Sequence, residues 1–127
     1  MDPVVHLDTH VVAWLYQGDL ERLRPVLHHM EGRRLVVAPM VVLELQYLYE
    51  INRLQIPAAE VVEFLANRHG LRTSVHPFAD VVRVATGLTW TRDPFDRLIA
   101  AQALVEGAPL LTADRTLLAN CAVARWT

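Results

Sequence analysis

Four acids in this 127-residue chain, Asp8, Glu44, Asp96 and Asp114, lie far apart, each where an apolar segment starts or runs. Carboxylates gathered within a few ångströms repel one another, and they stay ionised together only if a cation compensates. Oxygen-only ligation suits a hard divalent ion, magnesium or manganese, which keeps several waters and accepts phosphate oxygens. Such an ion lowers the pKa of a bound water and neutralises the charge that grows on a phosphodiester during hydrolysis. Metal-assisted phosphoryl chemistry, with one ion or two, is therefore what a converged quartet would do.

Each acid also has a structural explanation to set beside the chemical one. In PMVVLELQYLYEINRLQ, read as a helix over 39–55, Glu44 shares its face with Met40, Val41, Tyr47, Leu48 and Ile51, opposite Gln46, Glu50 and Arg53. An acid aimed at the core must be paired, protonated or metal-bound, and an ion pair with Arg97 or Arg115 is the structural alternative. Asp8 before THVVAWLY and Asp114 before RTLLA fit helix N-caps as well as ligands. In TRDPFDRLIAAQALVEG, Asp93 fits an N-cap with Pro94 at the first helical position, and Asp96 stands near a capping-box position. Ala100, Ala101 and Ala103 predict that this helix lies close against a sheet. His10 could orient water or substrate. His28 and His29 read as solvated, His69 as a helix end, and His6 and His76 as flanking strands. Trp14, Trp90 and Trp126 read as packing residues.

Positioning these groups falls to short apolar runs that alternate with longer amphipathic ones. Strands are expected at 4–7, 35–37, 72–75, 109–112 and 122–125. Helices are expected at about 9–17, 20–31, 39–55, 58–69, 77–86, 94–106 and 114–119. Pro25 conflicts with an unbroken second helix, and Gly70, Gly87 and Gly107 fall at helix stops. Strands separated by helices imply a parallel sheet with helices on both faces, whose ligand site lies beyond the carboxyl ends of the strands. Asp8 and Asp114 follow strands at that end, and the helices at 39–55 and 94–106 can bring Glu44 and Asp96 to the same rim.

Composition narrows the class. The length predicts one domain over residues 1–127, with about two thirds of its surface buried on folding. Pro39 and Glu44 interrupt the longest apolar run and no secretory signal opens the chain, so a soluble, cytoplasmic protein without membrane contact is expected. Cys121, the lone cysteine, excludes an intrachain disulfide and a cysteine-based zinc site. A net charge of −2 argues against binding nucleic acid by overall attraction. All twelve basic residues are arginine, and the absence of lysine excludes Walker-type phosphate binding and Schiff-base chemistry.

The combination LDTH, an acidic helix centred on LEL, DPFDRLIAAQAL and LLTAD resembles the PIN-domain ribonucleases, and within them the VapC toxins of VapBC toxin–antitoxin systems. The likeness runs from Asp8 to the terminal strand. It implies a three-layer α/β/α fold with a parallel sheet and a magnesium- or manganese-dependent endonuclease acting on RNA. It also implies a homodimer and a cognate VapB-type antitoxin. By motif position Asp8, Glu44, Asp96 and Asp114 match the family's acidic quartet, Asp93 an additional acid, and Thr112 a hydroxyl near the site, while Thr9 would support Asp8. Ala38 and Thr91 depart from the pattern, standing where relatives often carry a serine or threonine and a histidine. Arg33, Arg34, Arg92 and Arg97 are candidate RNA-phosphate contacts. Two rivals remain: a PIN-like binding module that has lost its metal, and a magnesium-binding receiver domain. The latter needs a lysine that this chain lacks, and an aspartate where the third strand ends in His76 and Pro77.

Overall fold

In the computed structural model residues 3–127 are described, and their centre is a short, fully parallel sheet. β1 (Val4–Leu7) leads into α1 (Thr9–Gln17), α2 (Leu20–Leu23) and α3 (Leu27–Met30), and then β2 (Arg34–Val37). α4 (Pro39–Glu50) and α5 (Ala58–His69) precede β3 (Arg72–Thr73). α6 (Phe78–Thr86) and α7 (Pro94–Glu106) precede β4 (Leu110–Leu111), and α8 (Arg115–Asn120) leads to β5 (Ala124–Arg125). The near-continuous apolar runs VVHL and RLVV suit strands covered on both faces.

Strand order is β3-β2-β1-β4-β5, with His6 level with Val36 on one side and Leu110 on the other. The chain builds outward from β1 through β2 to β3, then returns to lay β4 along the free edge of β1. That reversal opens a crevice at the carboxyl ends of β1 and β4, where open α/β sheets place their ligand sites.

Side chains alternate between the two faces of a strand. Val5, Leu7, Leu35 and Val37 join a core with Val11, Val12, Val41, Leu45, Val61 and Leu65 from α1, α4 and α5. On the other face α7 lies close through small residues, with Ala100 meeting Leu117 and Cys121, and Ala101 meeting Val81 and Ala85 of α6. The result is the expected three-layer α/β/α arrangement. No helix among the described residues is long and apolar enough to cross a membrane.

Several expectations need correction. Residues 20–31 are two short helices joined by a 3₁₀ turn at Arg24–Val26, because Pro25 cannot donate within a continuous helix. α4 stops at Glu50, well short of 55, and the chain turns through Asn52 at φ 64°. Strands β3, β4 and β5 are shorter than their apolar runs. Gly70 and Gly107 take the left-handed conformation that favours glycine, whereas Gly87, at φ −88°, does not require it.

The face of α4 is also revised. Val41 and Leu45 are its buried pair, while Leu43, Tyr47 and Ile51 are 56%, 47% and 44% exposed. The helix is apolar on two sides, so periodicity alone chose the wrong one. Glu44 is half-buried at the boundary rather than aimed into the core.

His6 is the opposite case. It does not flank β1 but lies within it at 1% exposure, where Nε2 meets Glu106 Oε1 at 3.0 Å. Glu106 also accepts from Ser74 and, at 3.0 Å, from Gln102, which donates to Ser74 Oγ at 2.8 Å. Burial would raise the Glu106 carboxyl, but bonds from Ser74, Gln102 and His6 outweigh it and hold the group below its ordinary value. This network ties β1, the segment after β3 and the end of α7 together.

Candidate active site

Three helices begin at the crevice, and each begins on an aspartate. Asp8 caps α1, its Oδ1 accepting from Thr9 N at 2.8 Å. Asp93 caps α7, its Oδ1 accepting from Phe95 N at 2.8 Å and Asp96 N at 3.3 Å. Asp114 caps α8, its Oδ1 accepting from Leu117 N at 2.9 Å. Cap and site residue therefore do not compete: at Asp93 and Asp114 one oxygen anchors the helix and the other remains for the crevice, while Asp8 Oδ2 at the crevice also accepts from Thr112. The positive ends of the helix dipoles favour negative charge there.

Asp96 occupies the third position of α7 but closes no capping box, because the Asp93 amide donates to Thr91 Oγ1 at 3.2 Å. Thr91 thus has a structural task at the start of α7. Ala38 gives α4 no side-chain cap, and Pro39 at its first turn supplies the helical φ instead. One turn further along α4, Glu44 reaches the crevice and accepts from Thr9 Oγ1 at 2.5 Å. Thr9 serves two acids, Asp8 through its amide and Glu44 through its hydroxyl.

Thr112, fully buried after β4, donates from Oγ1 to Asp8 Oδ2 at 2.7 Å and accepts from Asp114 N at 3.0 Å. That hydroxyl locks the ends of β1 and β4 to each other. His10 adds a second tie, its Nε2 accepting from Ala113 N at 2.9 Å. A backbone amide can only donate, so Nε2 carries no proton and the neutral ring is protonated on Nδ1, which faces Asp8 Oδ2 at 3.6 Å.

Asp8, Thr9, His10, Glu44, Leu48, Asp93, Asp96 and Asp114 line one open depression of about 250 Å³. A second, apolar cavity of about 190 Å³ between α1 and the end of α4, lined by Tyr16, Leu45 and Ile56 among others, contains no acid. The acids gather at the first. Burial, followed by the charges of Asp93, Asp8, Asp114 and Glu44, pushes the Asp96 carboxyl up to about 7. Burial also raises Glu44, with the Thr9 bond opposing and the Asp8 and Asp93 charges adding. Among the described residues, no arginine forms an ion pair with Glu44, Asp96 or Asp114. The ion pair of Glu44 with Arg97 or Arg115, one alternative from the sequence, is not formed.

The donor set fits a hard divalent cation: the acids offer oxygen alone, and their mutual repulsion calls for positive charge. Among the described residues no three acidic or imidazole groups stand close enough to ligate one ion together.

The four candidate arginines are not gathered. The Arg97 guanidinium donates to the carbonyls of Ala85 and Thr86 at the end of α6, at 3.1 and 3.2 Å. Arg92 donates to Thr89 O at 2.8 Å and lines a groove with Arg97 beside α6. Arg33 donates to His29 O at 2.9 Å, and Arg34 opens β2 level with Val4, at the end of the sheet away from Asp8. Sequence reasoning missed the Leu48 wall and the Ala113 bond of His10. Leu48 gave no polar signal, and the i, i+2 spacing of Asp8 and His10 was the only hint of the second.

The fold and depression together define a three-layer α/β protein with an acid-lined crevice at the reversal point of its sheet. The PIN domain family model matches residues 5–122, and the chain belongs to that family. It is similar to Ribonuclease VapC22 of Mycobacterium tuberculosis (strain ATCC 25618 / H37Rv), with 34% identity over 119 residues, covering 89% of this chain and 88% of the relative. Among solved structures it resembles VapBC2 from Rickettsia felis bound to a DNA fragment from their promoter, with TM-score 0.67 and 17% identity over 96% of this chain and 97% of that one. It also resembles VapBC-1 from nontypeable Haemophilus influenzae, with TM-score 0.66 and 18% identity over 98% and 96%. These two likenesses concern the fold.

Proposed function

We propose that this chain is the toxin of a toxin–antitoxin pair and hydrolyses RNA phosphodiester bonds as a divalent-metal-dependent endoribonuclease. The observation that carries the reading is the gathering of Asp8, Glu44, Asp93, Asp96 and Asp114 around one depression with no paired arginine to neutralise them. Membership of the PIN family and the relative named as a ribonuclease support the same reading. Asp8, Glu44, Asp96 and Asp114 would hold magnesium or manganese, and Asp93 would supply further charge at the rim. When bound, the ion supplies the positive charge that lets these acids ionise together and polarises a phosphoryl oxygen.

The chain's own residues prepare that site. Thr112 and Thr9 fix Asp8 and Glu44, so neither carboxylate must reorganise when charge develops. The caps at Asp8, Asp93 and Asp114 hold each acid to a helix start. Arg92, immediately before Asp93 in the chain, would meet a phosphate at the rim. Arg97 is spent on α6, and Arg34 opens β2 at the far end of the sheet with Arg33 just before it.

A VapB-type antitoxin and a second copy of the chain complete the proposed assembly, in the cytoplasm where its RNA would be met. Support comes from the solved VapBC assemblies of like fold and from the unburied Leu43 and Tyr47 on α4 and Ile51 just past its end. The test is cleavage of single-stranded and structured RNA with added manganese by the wild type, Asp8→Asn and Asp96→Asn. Both variants should lose activity by about 100-fold or more, the scale on which removing a preorganised electrostatic group acts. Equal cleavage by all three proteins would overturn the reading.

A further inference from the structure

The chain carries −2 overall, and its reactive depression is lined by acids, so it cannot hold RNA near the site by charge alone. Beside that depression lies a cluster of aromatic rings. His10 and Trp14 are one helical turn apart on α1, with ring centroids 4.9 Å apart at 60°. Trp126, just beyond β5, stands 5.7 Å from Trp14 and 6.3 Å from His10. The Arg22 guanidinium lies 5.2 Å from the Trp14 centroid, with Nε 3.5 Å from Asp19 Oδ2. His10, Trp14, Ala113 and Asp114 line a shallow depression of about 230 Å³, which shares His10 and Asp114 with the acid-lined one.

We infer that Trp14 and His10 form a stacking subsite for one unpaired nucleobase of the RNA, next to the phosphate presented to the acids. The inference rests on the ribonuclease reading and adds the feature that would hold the substrate. Every base has a π-face, so stacking on an aromatic side chain binds single strands without regard to sequence and without attracting the backbone. The Ala113 amide bond fixes the His10 ring, and the packing of Trp126 fixes Trp14, so the platform is formed before RNA arrives. Arg22, largely exposed at the rim, offers a cation to the next phosphate. Flat rings, a guanidinium over the Trp14 ring and continuity with the acid-lined depression favour a nucleotide over a peptide as occupant.

The test uses full-length Asp96→Asn protein, to prevent turnover, and labelled single-stranded RNA in which one nucleotide at a time is replaced by an abasic ribose. Anisotropy should show one position at which the missing base weakens binding roughly 5- to 150-fold, the range of a single base–aromatic stack. Adding Trp14→Leu should weaken intact RNA by a similar factor but cost nothing further at that abasic position, while Trp14→Phe keeps most of the affinity. A scan with no sensitive position, or losses that simply add, would overturn the subsite. So would a flat scan in which Trp14→Leu impairs only binding of a protein partner. The scan itself needs no change at position 14, so a misfolded leucine variant would not protect the inference. RNA cleavage by the parent protein together with a flat scan removes the subsite alone. A positive scan without cleavage in manganese removes the ribonuclease reading alone.

Discussion

Replacing Asp96 by asparagine should stabilise the metal-free protein while removing its activity. The folded-state value of about 7, against an ordinary 3.8, means that the native protein favours the protonated acid. Stability from that preference is complete below about pH 4 and is lost as pH rises through about 7. An unscreened shift of that size corresponds to ~4 kcal/mol. Asp96 is only half-buried, and solvent screening reduces the figure to about 1–2 kcal/mol. Asparagine keeps the shape without the charge, so Asp96→Asn should melt with the wild type near pH 4 and roughly 3–10 °C above it at pH 8 in a chelator. Saturating magnesium should narrow or reverse that gap, because ligand binding stabilises the wild type preferentially. Thermal melts followed by circular dichroism across pH 4–8, with and without magnesium, measure both effects. If Asp96→Asn melts no higher than the wild type at pH 8 without metal, the acids do not repel as the geometry requires, and the electrostatic case for a cation falls.

Three further outcomes follow from the same geometry. Glu44→Gln should show the weaker metal-induced rise in melting temperature, and a rise equal to that of the wild type would remove Glu44 from the metal-holding set. Thr112→Ala should cost about 1–3 kcal/mol in urea unfolding, since the buried Asp8 carboxylate loses its hydroxyl donor, and Thr112→Ser should restore most of it. Gln102→Leu should destabilise the protein by a similar ~1–3 kcal/mol, with the loss growing above the Glu106 titration range, because a partly buried anion is left short of donors.

The parts of the fold that were legible are those written in local chemistry. α5 was placed residue for residue at 58–69, bounded by Pro57 and Gly70. The aspartates before α1, α7 and α8 read as caps or ligands, and the geometry makes each a cap, with a second oxygen unbonded at Asp93 and Asp114 and held by Thr112 at Asp8. The orientation of α4 was not legible, because both its sides are apolar and only tertiary packing selects Val41 and Leu45 for the core. His6 was misplaced for a related reason: its partners Ser74, Gln102 and Glu106 are remote in sequence and nothing local announces them. Candidate phosphate contacts fared worst, since an arginine's sequence neighbours do not say which end of a parallel sheet it occupies, as Arg33 and Arg34 illustrate.

The buried polar network at the end of α7 has a bearing on the acids at its start. Ten residues separate Asp96 from Glu106, about 15 Å along the axis. Asp8 and Asp114 ride on loops fixed to β1 and β4, whereas Asp96 rides on this helix, whose far end is pinned to β1 through His6. The helix acts as a tie-rod of fixed length, and its axial setting gauges the gap between Asp96 and the strand-borne acids. The width of the crevice between Asp96 and the strand-borne acids is thus set partly by side chains at the opposite end of the helix.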